Sequence, residues 1–214
     1  LVQLLNKMLN SSIMIDFFFS QYKTYSNLDI FLELVGVLFG LASVWYAKKD
    51  SILVFPTGIV STTIYIYLLW KWQLLGDMSI NFYYTIMSVY GWFQWKKITN
   101  GEMLTISRTN MKEKIIGLVL FLITAIICIY IYKFFNYKLQ INNYLDIFTT
   151  SLFFTAMWYM AKKKIENWTL WIVGNTFAVY IFFDRQLYII AMQYIIFTIL
   201  AISAYIEWKK YLAK

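Results

Sequence analysis

Seven apolar runs long enough to cross a bilayer follow one another along this chain, and that succession constrains its fold more than any single motif does. They cover residues 28–47, 52–72, 77–95, 115–135, 144–161, 165–183 and 187–208. At the rise of an α-helix, about 20 residues match the hydrocarbon thickness of a membrane. In lipid every backbone polar group has to be bonded within the structure, so helices are the form such runs take. The expectation is an all-α integral membrane protein with seven transmembrane helices. Composition supports it, with 61% hydrophobic and only 14% charged residues among 214, far from the balance of a soluble domain.

The opening residues 1–26 are apolar but interrupted by Gln3, Asn6, Lys7, Asn10 and Asp16. They lack the compact apolar core and small-residue cleavage site of a signal peptide, and read as an N-terminal amphipathic helix at the interface, with a membrane span as the alternative. Lysine and arginine set the orientation. Thirteen of the 19 lie at the ends after runs 1, 3, 5 and 7 and six at the other side, so the N-terminus is expected outside and the C-terminus in the cytoplasm. The net charge of +8 sits at helix ends rather than along a soluble face, which points to lipid headgroups and away from nucleic acid.

A single constant offset, the one that carries Trp45-Tyr46 onto Trp158-Tyr159, also lays Thr63 on Thr176, Tyr67 on Tyr180, Thr85-Ile86 on Thr198-Ile199 and Trp95-Lys96-Lys97 on Trp208-Lys209-Lys210. One register held over three helices and their loops makes runs 1–3 a copy of runs 5–7. Because a single run lies between them, both copies cross in the same direction, a parallel 3+1+3 repeat with the substrate expected between the halves. The divisions are 1–26 for the interfacial segment, 27–97 for the first bundle, 98–114 for a cytoplasmic loop, 115–136 for the linker helix and 143–210 for the second bundle.

Positions where the copies differ in polarity are the informative ones. The register sets Thr62 opposite Asn175, Phe55 opposite Trp168, Gly58 opposite Trp171 and Asn81 opposite Tyr194. Trp168, Trp171 and Asn175 share one helical face by their spacings of three and four. Two indoles above an amide form a cage suited to a flat, cationic ring. Trp168 is also near the inner interface, where tryptophan anchors helices, so belt and site both stand for it. Asn81, Tyr84 and Ser88 recur on one stripe of run 3. Asn81 and Tyr84 are candidates for contacts from the first half, while Ser88 reads as helix packing. Gln193 and Thr62 complete the candidate set. Pro56 and Gly58, in FPTG, mark a hinge or simply the first turn of run 2.

Histidine is absent and Cys128 is the single cysteine, which removes the usual metal clusters, disulfides and histidine-based catalysis. No metal, cofactor or enzymatic activity is expected. A membrane-embedded enzyme or a structural subunit is the rival class; the missing paired carboxylates disfavour the first, and amides at membrane depth the second.

These residues resemble the Pnu family of vitamin-precursor transporters, over about residues 28–208. The resemblance rests on FPTGIVSTTIYIYLLWKWQLLGDMSINFYYTIMSVYGWFQW, with its YGW-x-x-W signature, and on ENWTLWIVGN, with its Trp-x-x-Trp-x-x-x-Asn face. It implies a seven-helix 3+1+3 fold like that of SWEET sugar transporters and a homotrimer in the bacterial inner membrane. It also implies facilitated passage of a dephosphorylated vitamin, with uptake driven by phosphorylation by a cytoplasmic kinase. Members divide into nicotinamide riboside, thiamine and riboflavin carriers. Asn81 departs from the glutamine expected in some relatives; nicotinamide riboside, whose planar pyridinium suits the tryptophan cage, is the first expectation and thiamine, or riboflavin, the alternative.

Overall fold

The computed structural model describes residues 25–213 except 74, 100, 101, 137, 138 and 186. The expected N-terminal amphipathic helix lies, apart from Tyr25 and Ser26, outside the described residues. Seven helices follow among them: α1 Asn27–Lys48, α2 Val54–Lys71, α3 Leu75–Lys96, α4 Met111–Phe134, α5 Ile141–Ala161, α6 Glu166–Asp184 and α7 Tyr188–Tyr211. A two-residue hairpin, β1 Ile98–Thr99 with β2 Glu102–Met103, lies in the loop after α3.

Local chemistry sets the helix ends. Ser26 opens α1 through a capping box with Asp29, satisfying backbone donors that the first turn leaves free. Asn110 and Glu113 do the same for α4, each bond 2.9 Å, so α4 begins at Met111 rather than at the expected 115 and shortens the loop before it. Pro56 is the third residue of α2, within the first turn, where its missing N–H costs no helical bond.

Three helices are apolar and long enough to cross a membrane by length and composition, namely α1, α4 and Ile190–Tyr211 of α7. The other four are diluted by polar residues turned inward: Ser61 on α2, Ser88 on α3, Thr149, Ser151 and Thr155 on α5, and Asn167 and Asn175 on α6 are all buried. The Ser151 and Thr155 hydroxyls donate to carbonyls one turn back on their own helix, at 2.7 and 3.0 Å, which makes their burial inexpensive.

In each triplet the middle helix touches both neighbours, α1–α2–α3 and α5–α6–α7. Across the triplets α1 meets α7 and α3 meets α5, while α4 packs on α5. First helix against third, in both directions, is the arrangement a two-fold axis between the triplets produces. The hydrogen bonds follow it: the Trp95 indole donates to the Met160 carbonyl at 3.3 Å and the Trp208 indole to the Ala47 carbonyl at 2.9 Å. The two donors are equivalent in the repeat register, and so are the two acceptors. Edge-to-face pairs repeat as well, Phe55 on Trp95 at 4.9 Å and Trp168 on Trp208 at 5.5 Å.

Lipid supplies little hydrophobic drive between helices, so close approach through small residues is what holds them. A Cβ on Gly91 would stand 2.4 Å from the Phe55 ring, and one on Gly117 would stand 2.2 Å from the Tyr159 hydroxyl. Those glycines therefore fix the α2–α3 and α4–α5 contacts. At the lysine-rich end α1 and α5 close alike: Ser51 N donates to Tyr46 O and Lys164 N to Tyr159 O, both at 2.9 Å, around Asp50 and Lys163 at positive φ. Asp50 and Lys163, equivalent in the register, pair across the halves at 2.8 Å. At the opposite end Lys71–Asp29 and Asn142–Asp184 stay within their own halves.

Candidate functional site

A cavity of about 230 Å³ lies between the two triplets. Eight pairs of its lining residues are equivalent in the repeat register: Gly40 and Phe153, Val44 and Met157, Ala47 and Met160, Phe55 and Trp168, Gly58 and Trp171, Thr62 and Asn175, Tyr84 and Phe197, Ser88 and Ala201. Ser43, Val54, Ser61 and Tyr194 complete the wall. Every one of these side chains is uncharged.

Five of the seven expected contact residues meet here: Trp168, Trp171 and Asn175 from α6, Tyr84 from α3 and Thr62 from α2. Gly58 lines the cavity too, and Pro56 does not. A Cβ on Gly58 would stand 3.0 Å from the Ser43 Oγ and 3.5 Å from the Ser88 Oγ, so glycine there lets α1, α2 and α3 converge. Ser88, read from sequence as packing, is a lining residue as well. Asn81 is not; its amide donates to the Asp77 carbonyl on its own helix at 3.0 Å, one turn beyond Tyr84. Gln193 lies outside the wall, beside Tyr194, which is in it.

The two walls differ in kind. From the first half come six small residues, Gly40, Ser43, Gly58, Ser61, Thr62 and Ser88, beside the aromatic Phe55 and Tyr84. From the second come five aromatics, Phe153, Trp168, Trp171, Tyr194 and Phe197, beside Asn175 and Ala201. Phe153 stacks on Trp171 at 5.0 Å, and Tyr84 meets the edge of Trp171 at 6.2 Å. Phe153 is a lining residue that polarity misses, and at the Asn81 and Tyr194 pair polarity finds the position but the wrong partner. The available signal is size, since Phe153 faces Gly40 in the register.

Hydrogen bonding separates the walls further. Ser43 donates to the Val54 carbonyl and Ser61 to the Gly36 carbonyl, both at 2.8 Å, and the Thr62 and Thr85 hydroxyls meet at 2.7 Å. The Trp168 indole N–H, in a side chain 2% exposed, has no partner among the described residues. The Asn175 side chain is largely buried as well and lines the cavity. A buried donor left open costs about 1–3 kcal/mol, and buried groups of this kind are normally satisfied. The cavity therefore offers aromatic faces, the hydroxyls of α1, α2 and α3 and the Asn175 amide, and none of its lining side chains is charged.

Over residues 30–210 the chain matches the family described as nicotinamide mononucleotide transporter. The nicotinamide riboside transporter PnuC of Escherichia coli (strain K12) is 22% identical over 201 residues, 83% of this chain and 84% of that one. The transporter of the same name from Neisseria mucosa is 24% identical over 195 residues, 86% of this chain and 74% of its own. Among solved structures, that of the vitamin B3 transporter PnuC superposes with a TM-score of 0.65 at 21% identity, covering 86% of this chain and 83% of the other.

Proposed function

Because the chain belongs to the nicotinamide mononucleotide transporter family, a family of membrane transporters, we propose that it is a facilitative carrier of nicotinamide riboside. The family is described by the nucleotide and the relatives by the riboside, and the cavity favours the riboside. Its wall is uncharged, and a phosphate moved into such a site without a cation loses several kcal/mol of solvation. A pyridinium needs no counter-ion partner of that strength, because indole faces attract a delocalised cation. The ribose hydroxyls are matched by the Asn175 amide and by the hydroxylated residues of the first-half wall. The uncharged cavity lined by Trp171, Phe153, Tyr84 and Asn175 carries the reading.

The paired lining and the reciprocal α1–α7 and α3–α5 contacts support a parallel 3+1+3 repeat of seven spanning helices around a central site. In this reading the halves rock about the cavity, which faces each side in turn. Net uptake comes from phosphorylation of the released riboside by a cytoplasmic kinase, in keeping with a wall that has no carboxylate for a coupling cation. The carrier sits in the bacterial inner membrane as a homotrimer, N-terminus outside. The broad apolar face of α4, with Leu118, Leu122 and Ile126 exposed, is available to lipid and to neighbouring copies.

Titrating the purified protein while following tryptophan fluorescence tests the substrate. Nicotinamide riboside is expected to quench at micromolar concentration, the mononucleotide to bind about 100-fold more weakly, a gap of about 3 kcal/mol, and Trp171→Ala to abolish the response. Equal binding of the mononucleotide, or no response to the riboside, would refute the proposal. A stronger response to thiamine, whose thiazolium is also flat and cationic, would move the assignment to that vitamin.

A further inference from the structure

The α1–α2 and α5–α6 crossings are one contact built with opposite sizes. In the first, Gly40 lies against Ser61, and a Cβ on Gly40 would stand 3.1 Å from the Ser61 Oγ. The equivalent positions in the second half are Phe153 and Gly174. There the large residue is on the first helix of the pair and the glycine on the second, and a Cβ on Gly174 would stand 2.3 Å from the Phe153 ring. Phe153 holds its place because residue 174 has no side chain. Its ring fills on one wall the space that Gly40 leaves open on the other. It lies nearly parallel to Trp171, 5.0 Å away at 25°, and to Tyr194, 6.3 Å away at 10°.

We propose that Phe153, seated on Gly174, is a positioning residue that sets the Trp171 indole and restricts the cavity to a ligand with a single aromatic ring. One face of the indole is taken by Phe153, so a ligand ring has one face left to stack on. A fused ring system needs the volume that Phe153 occupies. Nothing in the polarity of the wall discriminates between one ring and three; the discrimination is steric and comes from this exchanged pair. It rests on the reading of the cavity as the vitamin site and adds which side chain decides the ring size.

The double variant Phe153→Gly/Gly174→Ser copies the first half's own pair into the second, so the crossing keeps a packing this fold already uses. Binding of nicotinamide riboside and of riboflavin is measured on the parent, the double variant and Phe153→Tyr. The double variant is expected to bind the riboside about tenfold more weakly and riboflavin about tenfold more tightly, changes of the size one filled or emptied sub-pocket brings. Phe153→Tyr keeps the parent's preference. Gly174→Ala, which displaces the ring without removing it, weakens the riboside and leaves riboflavin excluded. A ratio in the double variant within about threefold of the parent's, or a loss shared equally by both ligands, overturns the inference, because a merely structural role weakens both together. A parent that binds the riboside with an unmoved ratio sinks Phe153 alone; a parent that binds neither ligand sinks the vitamin reading with it.

Discussion

On the first-half wall of the cavity Ser43, Ser61 and Thr62 engage the protein's own carbonyls and hydroxyls, whereas on the second-half wall the Trp168 indole has no partner among the described residues and Asn175 lines the cavity. The helices that carry them occupy equivalent places. In the proposed repeat every position has two copies, and only one of them has to maintain the helix crossing. In this chain the small hydroxylated residues of α1 and α2 pull their helices together. Their counterparts on α5 and α6 are Ala156, Gly174 and Asn175, and the bulk of the second wall comes from Phe153 and Trp171, which stand where the first half has Gly40 and Gly58. Polar residues at membrane depth thus have two distinct uses here, and hydrogen-bond partners tell them apart.

The largest expected effect is where the halves differ in sign. Asp50 and Lys163 hold the same left-handed turn in each copy, and Lys163 is 9% exposed, over the Trp95 ring at 4.2 Å. Burial pushes the Asp50 carboxyl above its usual range, and the Lys163 ammonium pulls it back. Lys163→Met removes the pull, so the folded-state pKa rises further above the unfolded value. The variant is expected to lose about 3 kcal/mol at neutral pH, the lower end for a broken buried pair because Asp50 keeps about a quarter of its surface open. The deficit against the parent is full above the variant's folded pKa and fades as pH falls to the parent's folded pKa, itself raised by burial, below which the two proteins carry the same penalty. Thermal unfolding in detergent, compared with the parent at neutral and acid pH, checks this. A deficit that does not shrink on acidification, or an exchanged pair Asp50→Lys/Lys163→Asp that restores nothing, would show that the two copies do not depend on each other's charge.

Next in size is the Asn175 amide. Asn175→Leu is expected to cost about 2 kcal/mol of riboside affinity, roughly 30-fold, while leaving unfolding nearly unchanged, since the side chain lines the cavity. Calorimetric binding together with a melting curve separates the two. A variant that melts lower and binds normally would place Asn175 with the structural polar residues of the other wall.

How much of this was legible depends on what kind of difference the register carries. Helix number and order follow from hydropathy and the internal repeat, because both are written in every turn. Differences of polarity lead to Thr62, Trp168, Trp171 and Asn175, all of which reach the cavity. Asn81 also differs in polarity from Tyr194, but there it is the tyrosine that lines the wall, while the amide folds back on the Asp77 carbonyl. Gln193 sits on the same helix as a lining residue and misses the wall by one position. Phe153 is silent among apolar neighbours; only the contrast with Gly40 reveals it, and its seat on Gly174 needs coordinates. The Asp50 and Lys163 pair is visible in the register as opposite charges, yet contact across an axis is a tertiary fact.

The smallest effect tests the other side of the comparison. Ser61→Ala keeps the small size that the Gly40 crossing requires and removes only the hydroxyl that donates to the Gly36 carbonyl. That carbonyl already accepts within its helix, so the expected loss is about 1 kcal/mol of stability, the ordinary net value of one such bond. Riboside affinity should stay within about twofold, or about 0.4 kcal/mol, because the hydroxyl is committed to the helix and not to the ligand. Ser61 lines the same cavity as Asn175, so proximity alone predicts that both substitutions weaken binding. If Ser61→Ala lowers affinity as Asn175→Leu does, partner satisfaction is the wrong criterion for separating gripping residues from packing ones, and the first-half wall belongs to the recognition surface as fully as the second.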